Sequence, residues 1–327
     1  MDQYPISANS LEKHYHINGA LFSQQYKDHL SDFNDWEQKD HAKQWILYPK
    51  NIGSHLSIDE TALSNGELYT ILTNKAAKGR KGCLVAIIEG TESDKIINIL
   101  KQIDKRKRDT VLEVTLDMAG SMNRIVKSCF AKANLVIDRF HVQKLAFDAL
   151  QEIRISHRWD AIQEEADARH LAKQTKEKYI ADLLANGDTK KQLLARSRYL
   201  LFKSGNCWSS KQKQRAQILF KMYPDIKQAY GLTHALRMLF SKSKNKNVMR
   251  LNMAKWFNKV EKAGFKSFNT IASTFYTHYP EILNFFDNRS TNASAESFNA
   301  KLKAFRAQFR GVRDISFFLF RVCKIYA

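Results

Sequence analysis

The sequence predicts an α/β protein in which a sheet domain is interrupted by a large all-helical insertion and preceded by a short helical region. Three observations lead to this fold class. Residues 54–141 alternate short apolar strands with amphipathic helices in the order βββαβαβ. Residues 142–285 contain recurrent helical patterns and no convincing strand. The positive charge is concentrated in that helical block, where residues 191–280 carry 18 Lys and Arg against 2 Asp and Glu.

The sheet domain is expected to begin as a meander and to continue with two crossovers. Strands are expected at residues 55–59, 68–72, 83–88, 111–116 and 135–137. Asn65-Gly66 is a strong hairpin signal between the first two strands, and Ser93 opens a helix before the fourth. Since connections are short and crossovers right-handed, few topologies fit this order. One of them is the ribonuclease-H-like mixed sheet.

The chain is expected to divide into four segments. They are a helical N-terminal region, the first part of the sheet core, the basic helical insertion, and C-terminal core helices, with bounds 1–50, 51–141, 142–286 and 287–327. Within the first segment, Asn18-Gly19 separates two short helical stretches. This pattern fits either a helix–turn–helix DNA reader or a plain helical hairpin that packs on the next domain.

Composition narrows the class of function. The chain has 327 residues, a net charge of +20 and 44% hydrophobic residues, which excludes a disordered chain. The absence of a long apolar run and of a signal pattern predicts a cytoplasmic, nucleoid-associated protein without membrane association. Four cysteines without a CxxC pair favour reduced, buried thiols over disulfides or zinc. The concentrated positive charge points to nucleic acid as the partner.

Three acids stand out as candidate catalytic residues and metal ligands. Asp59 ends the first predicted strand and Asp117 the fourth, and in a ribonuclease-H-like order these strands are neighbours. Glu296 lies on the helix that follows the insertion. Three carboxylates without nearby Cys or metal-spaced His favour two Mg²⁺ or Mn²⁺ ions. Each acid could instead be an ordinary strand-end cap or an exposed helix residue.

Other polar residues near these acids are candidates for supporting roles. Glu60 should point away from Asp59 because strand side chains alternate. Asp138 and His141 could form a metal-ligand pair or a hydrogen-bonded pair that fixes the chain where it leaves the sheet. Glu296, Asn299 and Lys303 share one helix face by their spacing.

The DNA-binding candidates lie mainly in the basic insertion. They are Lys203, Trp208, Lys211, Lys213, Arg215, Lys242, Lys244, Lys246, Arg250 and Lys303. Trp208 could stack on a splayed base or pack between helices, and both interpretations stay open. Residues 241–250 fit either a phosphate-binding loop or a solvated turn.

Four ordered motifs together resemble a known family. They are Ser57-Ile-Asp59-Glu60, Thr115-Leu-Asp117-Met118, Val136-Ile-Asp138-Arg-Phe-His141 and the run from Thr291 through Glu296 and Asn299 to Lys303. They resemble the DDE transposases of bacterial insertion sequences, in particular the group named ISL-three. The resemblance implies a ribonuclease-H-like core with catalytic acids at Asp59, Asp117 and Glu296. It places the family's Asp/Cys-x-x-His signature, in a supporting role, on Asp138 and His141.

The sequence thus predicts a DNA transposase that cleaves and transfers DNA strands with two divalent ions. Two alternatives remain: a ribonuclease-H-like nuclease that does not join strands, and a DNA-binding regulator that has lost catalysis. Because two element ends must meet, a homo-oligomer on DNA is expected. The start of the chain lacks the Cys-rich module that family members often carry, so end recognition could belong to a separately encoded DNA-binding protein.

Overall fold

The computed structural model describes residues 1–63, 66–243, 245–309 and 314–327. The chain forms two compact units. The sheet unit comprises Met1–Asp138 together with Asn288–Ala327, and the helical unit comprises Arg139–Asp287. The predicted fold class, a sheet core interrupted by a helical insertion, is confirmed.

The sheet unit contains six strands and five α-helices before the insertion. The strands are β1 (Trp45–Leu47), β2 (His55–Ala62), β3 (Leu68–Asn74), β4 (Leu84–Glu89), β5 (Glu113–Leu116) and β6 (Asn134–Ile137). The helices are α1 (Glu12–Tyr15), α2 (Gly19–Gln25), α3 (Ser93–Leu100), α4 (Lys105–Arg108) and α5 (Gly120–Cys129). Short 3₁₀ turns occupy Ala8–Leu11, Pro49–Asn51 and Lys75–Ala77, and a π-helical turn occupies Tyr26–Leu30.

The helical unit and the C-terminal segment account for the remaining helices. In the helical unit these are α6 (Arg139–Gln174), α7 (Lys190–Arg196), α8 (Arg198–Phe202), α9 (Ser210–Met222), α10 (Pro224–Lys242), α11 (Lys246–Ala263), α12 (Lys266–Thr277) and α13 (Tyr279–Asn288). A 3₁₀ turn lies at Gly205–Cys207. The sheet unit resumes with α14 (Ala293–Gln308) and α15 (Ile315–Tyr326).

The strand order is β1-β4-β3-β2-β5-β6. Strands β2, β5 and β6 are mutually parallel neighbours, whereas β2–β3, β3–β4 and β1–β4 are antiparallel. Apart from β1, this is the ribonuclease-H-like arrangement. The sequence predicts a helical region over residues 1–50, and β1 is the strand that this prediction missed. Its three residues are too few to show a period, and its pairing with β4 creates the strand.

Each face of the sheet is covered by a different pair of helices. Leu56, Ile58 and Val114 lie in a buried cluster with α3 and α5. Tyr69 and Ile71 lie in a second cluster with α14 and α15. Leu56 and Ile58 of β2 face the first pair of helices. Because strand side chains alternate, Ser57 and Asp59 face the second pair. The predicted catalytic Asp59 therefore lies on the α14 side.

The N-terminal helices are short and pack on the C-terminal helix. Asn18 caps α2, its side chain accepting a hydrogen bond from Leu21 N at 2.9 Å. Tyr26 and Phe33 join Phe317 and Phe320 in a buried aromatic cluster. These contacts favour the helical-hairpin interpretation of this region over the DNA-reading one. The turn predicted at Asn65-Gly66 falls partly outside the described residues, although Gly66 has φ 81°, which glycine adopts readily.

The insertion begins differently from the expected pattern. The sequence suggests separate helices at 142–158 and 162–185, whereas α6 is one helix of 36 residues. No Gly or Pro interrupts Trp159-Asp160-Ala161, so nothing local ends the helix there. None of the four cysteines, all in described segments, forms a disulfide. Among the described helices, none combines the length and apolar character needed to span a bilayer.

Candidate active site

Three aspartates lie in register on three adjacent parallel strands of the sheet unit. Asp59 lies within β2, which continues past the predicted strand end to Ala62, whereas Asp117 and Asp138 directly follow β5 and β6. Ser57 pairs with Thr115, and Thr115 pairs with Val136. Asp59, Asp117 and Asp138 each lie two residues further along. Asp138 N donates to Leu116 O at 3.1 Å, so the ladder extends past the end of the assigned strands. Since residues two apart share a face, the register carries the three carboxylates to one edge and toward one face of the sheet.

Helix α14 lies over the same face and supplies two further polar side chains. Its apolar positions Phe298, Leu302 and Phe305 are buried against the sheet. This packing turns Asn299 inward, and Asn299 Nδ2 donates to Asp59 Oδ2 at 2.8 Å. Glu296 lies one turn earlier, near the start of the helix. The sequence-predicted polar helix face thus contacts the first catalytic candidate directly.

Glu296 lies beside the last of the three aspartates. A carboxylate oxygen of Glu296 and one of Asp138 are within 4.8 Å of each other, with Glu296 exposed and Asp138 buried. Among the residues that the structure describes, the carboxylate oxygens of Glu296, Asp59 and Asp117 do not all lie within 4.8 Å of one another. The sequence gives Asp138 either a supporting role or a place in a metal-ligand pair with His141, and the fold places it beside the last acid.

The other two aspartates are held by backbone amides. Asp59 Oδ1 accepts from Glu60 N at 2.9 Å, and Asp117 Oδ1 accepts from Ala119 N at 2.8 Å. The pKa of Glu60 is raised from its ordinary value by burial, and further by the negative charges of Asp117 and Asp59. Both aspartates therefore lie within electrostatic reach of one carboxyl group, which indicates a crowded acidic edge.

A buried cation lies behind the acidic edge, on the same face of β5. Lys75 Nζ is 2.8 Å from Thr115 Oγ1 and 3.4 Å from Glu113 Oε1. Burial lowers the pKa of Lys75, and the charge of Glu113 acts in the opposite direction. Asn288 Nδ2 donates to Glu113 Oε2 at 3.3 Å. This cluster ties the start of the C-terminal segment to β5, eight residues before Glu296.

Sequence reasoning did not single out this cluster. One signal was present, because Glu113 is a charged residue within the apolar run 111–116. A buried carboxylate in a strand needs a partner, which a fold must supply from elsewhere in the chain. The partners Lys75 and Asn288 are 38 and 175 residues away, too far for any local pattern to reveal.

The donor set of this edge fits a hard divalent cation. It consists of carboxylate oxygens and one amide oxygen, without a thiolate. Asn299 Oδ1 is buried and accepts no hydrogen bond within the described part of the chain, which leaves an oxygen donor beside Asp59. His141 lies in the first turn of α6, three residues after Asp138.

The predicted DNA-binding side chains fall into two groups. Six of them are exposed, as phosphate contacts require, namely Lys203, Lys211, Lys213, Lys242, Arg250 and Lys303. Lys244 lies outside the described residues.

The remaining three have partners within the helical unit. Trp208 Nε1 donates to Leu200 O at 3.0 Å, and its ring packs 5.5 Å from that of Tyr230. This contact favours the helix-packing interpretation of Trp208. Arg215 pairs with the buried Asp188 at 3.0 Å, and Lys246 pairs with Asp287 at 2.5 Å. Arg215 shares Asp188 with Arg196, and Lys246 forms a partly exposed pair with Asp287, so both side chains already have partners in the helical unit.

The fold and its acidic edge define a class: ribonuclease-H-like proteins with carboxylates at the ends of the parallel strands. A family model described as a transposase, DDE_Tnp_ISL3, matches residues 56–322. The chain therefore belongs to the ISL3 family of DDE transposases. No curated protein and no solved structure matches the chain. Family membership makes it an enzyme that acts on DNA, in a family that generally uses a divalent metal.

Proposed function

We propose that this transposase cleaves DNA at the ends of an insertion sequence and joins the freed ends to target DNA. In this proposal Asp59, Asp117 and Glu296 hold two Mg²⁺ or Mn²⁺ ions, and Asp138, His141 and Asn299 support them. The single observation that carries the proposal is the register of three aspartates on neighbouring parallel strands, under a helix that bears Glu296.

The two chemical steps have the same form, which allows one site to perform both. In the first, a water oxygen attacks phosphorus and a 3′-OH leaves. In the second, that 3′-OH attacks a target phosphodiester, so one P–O bond forms as another breaks. Bound divalent ions would supply activation of the attacking oxygen and stabilisation of the leaving oxygen.

The side chains of this chain position the reacting groups. The backbone amides of Glu60 and Ala119 each fix one oxygen of Asp59 and of Asp117. Asn299 orients the other oxygen of Asp59. The burial of Phe298 and Leu302 holds α14 against the sheet, so that Glu296 stays at the acidic edge. Together these contacts preorganise the carboxylates before DNA binds.

The basic helical unit would grip the DNA backbone without reading its sequence. Exposed lysines such as Lys211 and Lys213 are suited to phosphate contacts. Because two element ends must be joined, we propose that the active form is a homo-oligomer assembled on DNA. A separately encoded protein that recognises the ends is compatible with this arrangement.

A strand-transfer assay tests the proposal. The full chain is incubated with Mg²⁺, target DNA and either intact or pre-cleaved element ends, whose inverted repeats are read from DNA flanking the gene. We expect cleavage of intact ends and joining of pre-cleaved ends. Cleavage without joining would indicate a nuclease. DNA binding without either reaction would indicate a regulator that has lost catalysis.

A further inference from the structure

The helical unit contains an open groove lined by aromatic and arginine side chains that have no role in the proposed cleavage and joining reactions. It lies between α6 and the pair α7–α8 and has a volume of about 870 Å³. This volume falls within the range of roughly 300–1,000 Å³ typical of ligand sites. Its aromatic lining consists of Trp159, Tyr199 and Phe202. None of these residues was singled out as a DNA contact from the sequence.

Two of these aromatic side chains are exposed. Trp159 is 65% exposed and Tyr199 is 70% exposed. Both line the same groove, and apolar side chains that are exposed together, with polar residues around them, indicate a binding site more than single exposed residues do. By contrast, the indole of Trp208 is packed, and Trp256 is 2% exposed and donates to Leu232 O. Trp159 is therefore the helical unit's available stacking surface among its described tryptophans.

Three arginines line the same groove. Arg154 is 4% exposed and donates to Leu194 O at 2.9 Å and to Gln151 Oε1 at 2.6 Å. Arg158 is half-buried, and Arg198 lies over the ring of Tyr199 at 5.3 Å.

The three groove arginines differ from two other arginines of the helical unit that form ion pairs. Arg169 pairs with Glu165, and Arg196 pairs with Asp188. Within the described part of the chain, the three groove arginines form no ion pair. The pKa of Arg154 is lowered by burial first and then by the positive charges of Arg158 and Arg198. Three clustered guanidinium groups without a carboxylate partner favour an anion in the groove.

The groove also contains two acids, Asp148 and Glu152, which lie on α6 at least one turn before Arg158. Gln151, next to Glu152, donates to Arg198 O at 3.3 Å, so the backbone of Arg198 lies near these acids. Because carboxylates repel a phosphate, we expect the tightest phosphate contact at Arg158, beside the exposed ring of Trp159.

We propose that this groove binds unpaired nucleotides of single-stranded or locally opened DNA. Trp159 and Tyr199 stack on the bases, and Arg158 and Arg198 hold the adjacent phosphates. Stacking needs a base that has left the duplex, since paired bases offer no open face. The inference rests on the proposed function, because cleavage at element ends is what creates opened strands for this enzyme.

The experiment measures binding of the full chain to a short single-stranded oligonucleotide that contains 2-aminopurine, and to the matching duplex. Stacking on a protein ring quenches 2-aminopurine. We expect Trp159→Ala and Tyr199→Ala each to weaken single-strand binding by about 5- to 100-fold, since stacking on one ring contributes about 1–3 kcal/mol. Both changes should reduce the quenching and leave duplex binding nearly unchanged. Trp159→Phe should retain most of the affinity.

Matched variants control for surface and charge effects. Leu171→Ala removes another exposed side chain of α6, 60% exposed and outside the groove, and should change nothing. Arg158→Ala and Arg198→Ala should weaken binding and reduce its salt dependence, whereas the paired Arg169→Ala should do so less.

The outcomes separate this inference from the proposed function. Unchanged single-strand affinity and quenching in Trp159→Ala and Tyr199→Ala would overturn the groove, whatever the cleavage assay shows. A wild-type chain that does not bind single-stranded DNA would also overturn the proposal. A protein partner would then be the better occupant of the groove. Loss of single-strand binding in these variants, with a wild type that does not cleave, would support the groove and contradict the proposed transposition activity.

Discussion

The two units of the chain use charge in opposite ways. The sheet unit carries 26 Lys and Arg against 20 Asp and Glu, and the helical unit carries 27 against 13. In the sheet unit, strand register gathers Asp59, Asp117 and Asp138 at one edge. In the helical unit, Arg154, Arg158 and Arg198 gather in one groove and, within the described residues, form no ion pair with its two acids, Asp148 and Glu152. Like charges are brought together in both units, with opposite sign.

This comparison shows that a region with a small net charge can still contain a dense cluster of like charges. The sheet unit has only a modest excess of basic residues, and burial, together with the negative charges of Asp117 and Asp59, raises the pKa of Glu60. Crowded like charges destabilise a fold unless a partner of opposite charge arrives. The acidic edge needs a cation, and the arginine groove needs an anion. Five predictions test this division, in order of decreasing effect.

The largest effect is expected at the acidic edge. Asp117→Asn removes a carboxylate from the proposed metal site, and divalent-ion catalysis is worth several kcal/mol. The rate of Mg²⁺-dependent cleavage should therefore fall by about 10³-fold or more, while DNA affinity stays within a few-fold. Glu60→Gln, on the other face of β2, is the control and should retain most of the activity. Cleavage that survives Asp117→Asn would remove the catalytic assignment.

A large effect on stability is expected from the buried ion pair that holds α14. Arg306 binds Glu67 with two hydrogen bonds of 2.7 and 3.0 Å, and both side chains are at most 10% exposed. Arg306→Met leaves the carboxylate without this partner, so the free energy of unfolding should fall by about 3–5 kcal/mol. Urea unfolding of the full chain measures it. The exposed Lys303→Met is the control, and equal midpoints for the two variants would contradict the prediction.

A moderate effect on rate is expected at Asn299. Residues that orient a metal ligand typically contribute about 10- to 100-fold. Asn299→Ala removes the hydrogen bond to Asp59 and should lower the cleavage rate by that factor, with a higher Mg²⁺ requirement. Ser297→Ala, an exposed position on the same helix, should behave as wild type. An unchanged Mg²⁺ titration in Asn299→Ala would indicate that this amide serves only packing.

A smaller effect is expected on the affinity for duplex DNA, and it should differ between variants of the helical unit and of the sheet unit. Lys211→Ala combined with Lys213→Ala should weaken duplex binding several-fold. The slope of log K against log salt should become shallower by about 0.9 for each phosphate that the variant no longer neutralises. The same double change at the exposed Lys101 and Lys107 of the sheet unit is the comparison. Equal slopes for the two double variants would show that the helical unit does not dominate DNA binding.

The smallest effect is a pH dependence in the helical unit. Burial acts to raise the pKa of Asp188, but Arg215 and Arg196 outweigh it and hold that pKa below the ordinary value. A depressed folded-state pKa stabilises the fold above the unfolded value of about 4, and this stabilisation is lost as the pH falls below it. The melting temperature should therefore drop more steeply below pH 4 in wild type than in Asp188→Asn. Parallel curves would contradict the prediction.

Local pattern was sufficient for much of the fold and for the candidate acids. Strand alternation and turn residues predicted the strands that became β2 to β6, because a half-buried sheet imposes a period of two. The same pattern marked Asp59 and Asp117 as strand-end residues, which is right for Asp117 and wrong for Asp59, because β2 continues to Ala62. It could not mark β1, whose three residues form a strand only through β4. The continuity of α6 was also missed, although no Gly or Pro separates the two helices that the sequence suggests there.

The sequence alone determined the order of elements, the interruption of the sheet and the distribution of charge, since these depend on neighbouring residues. Only the tertiary structure decided that Asp138 lies beside Glu296, that Asn299 binds Asp59, and that Lys75 and Asn288 share Glu113. It also decided that Trp208 is packed whereas Trp159 is exposed. These contacts join residues that are far apart in the sequence. Packing between such residues produces no repeating pattern in the sequence from which the contacts could be predicted.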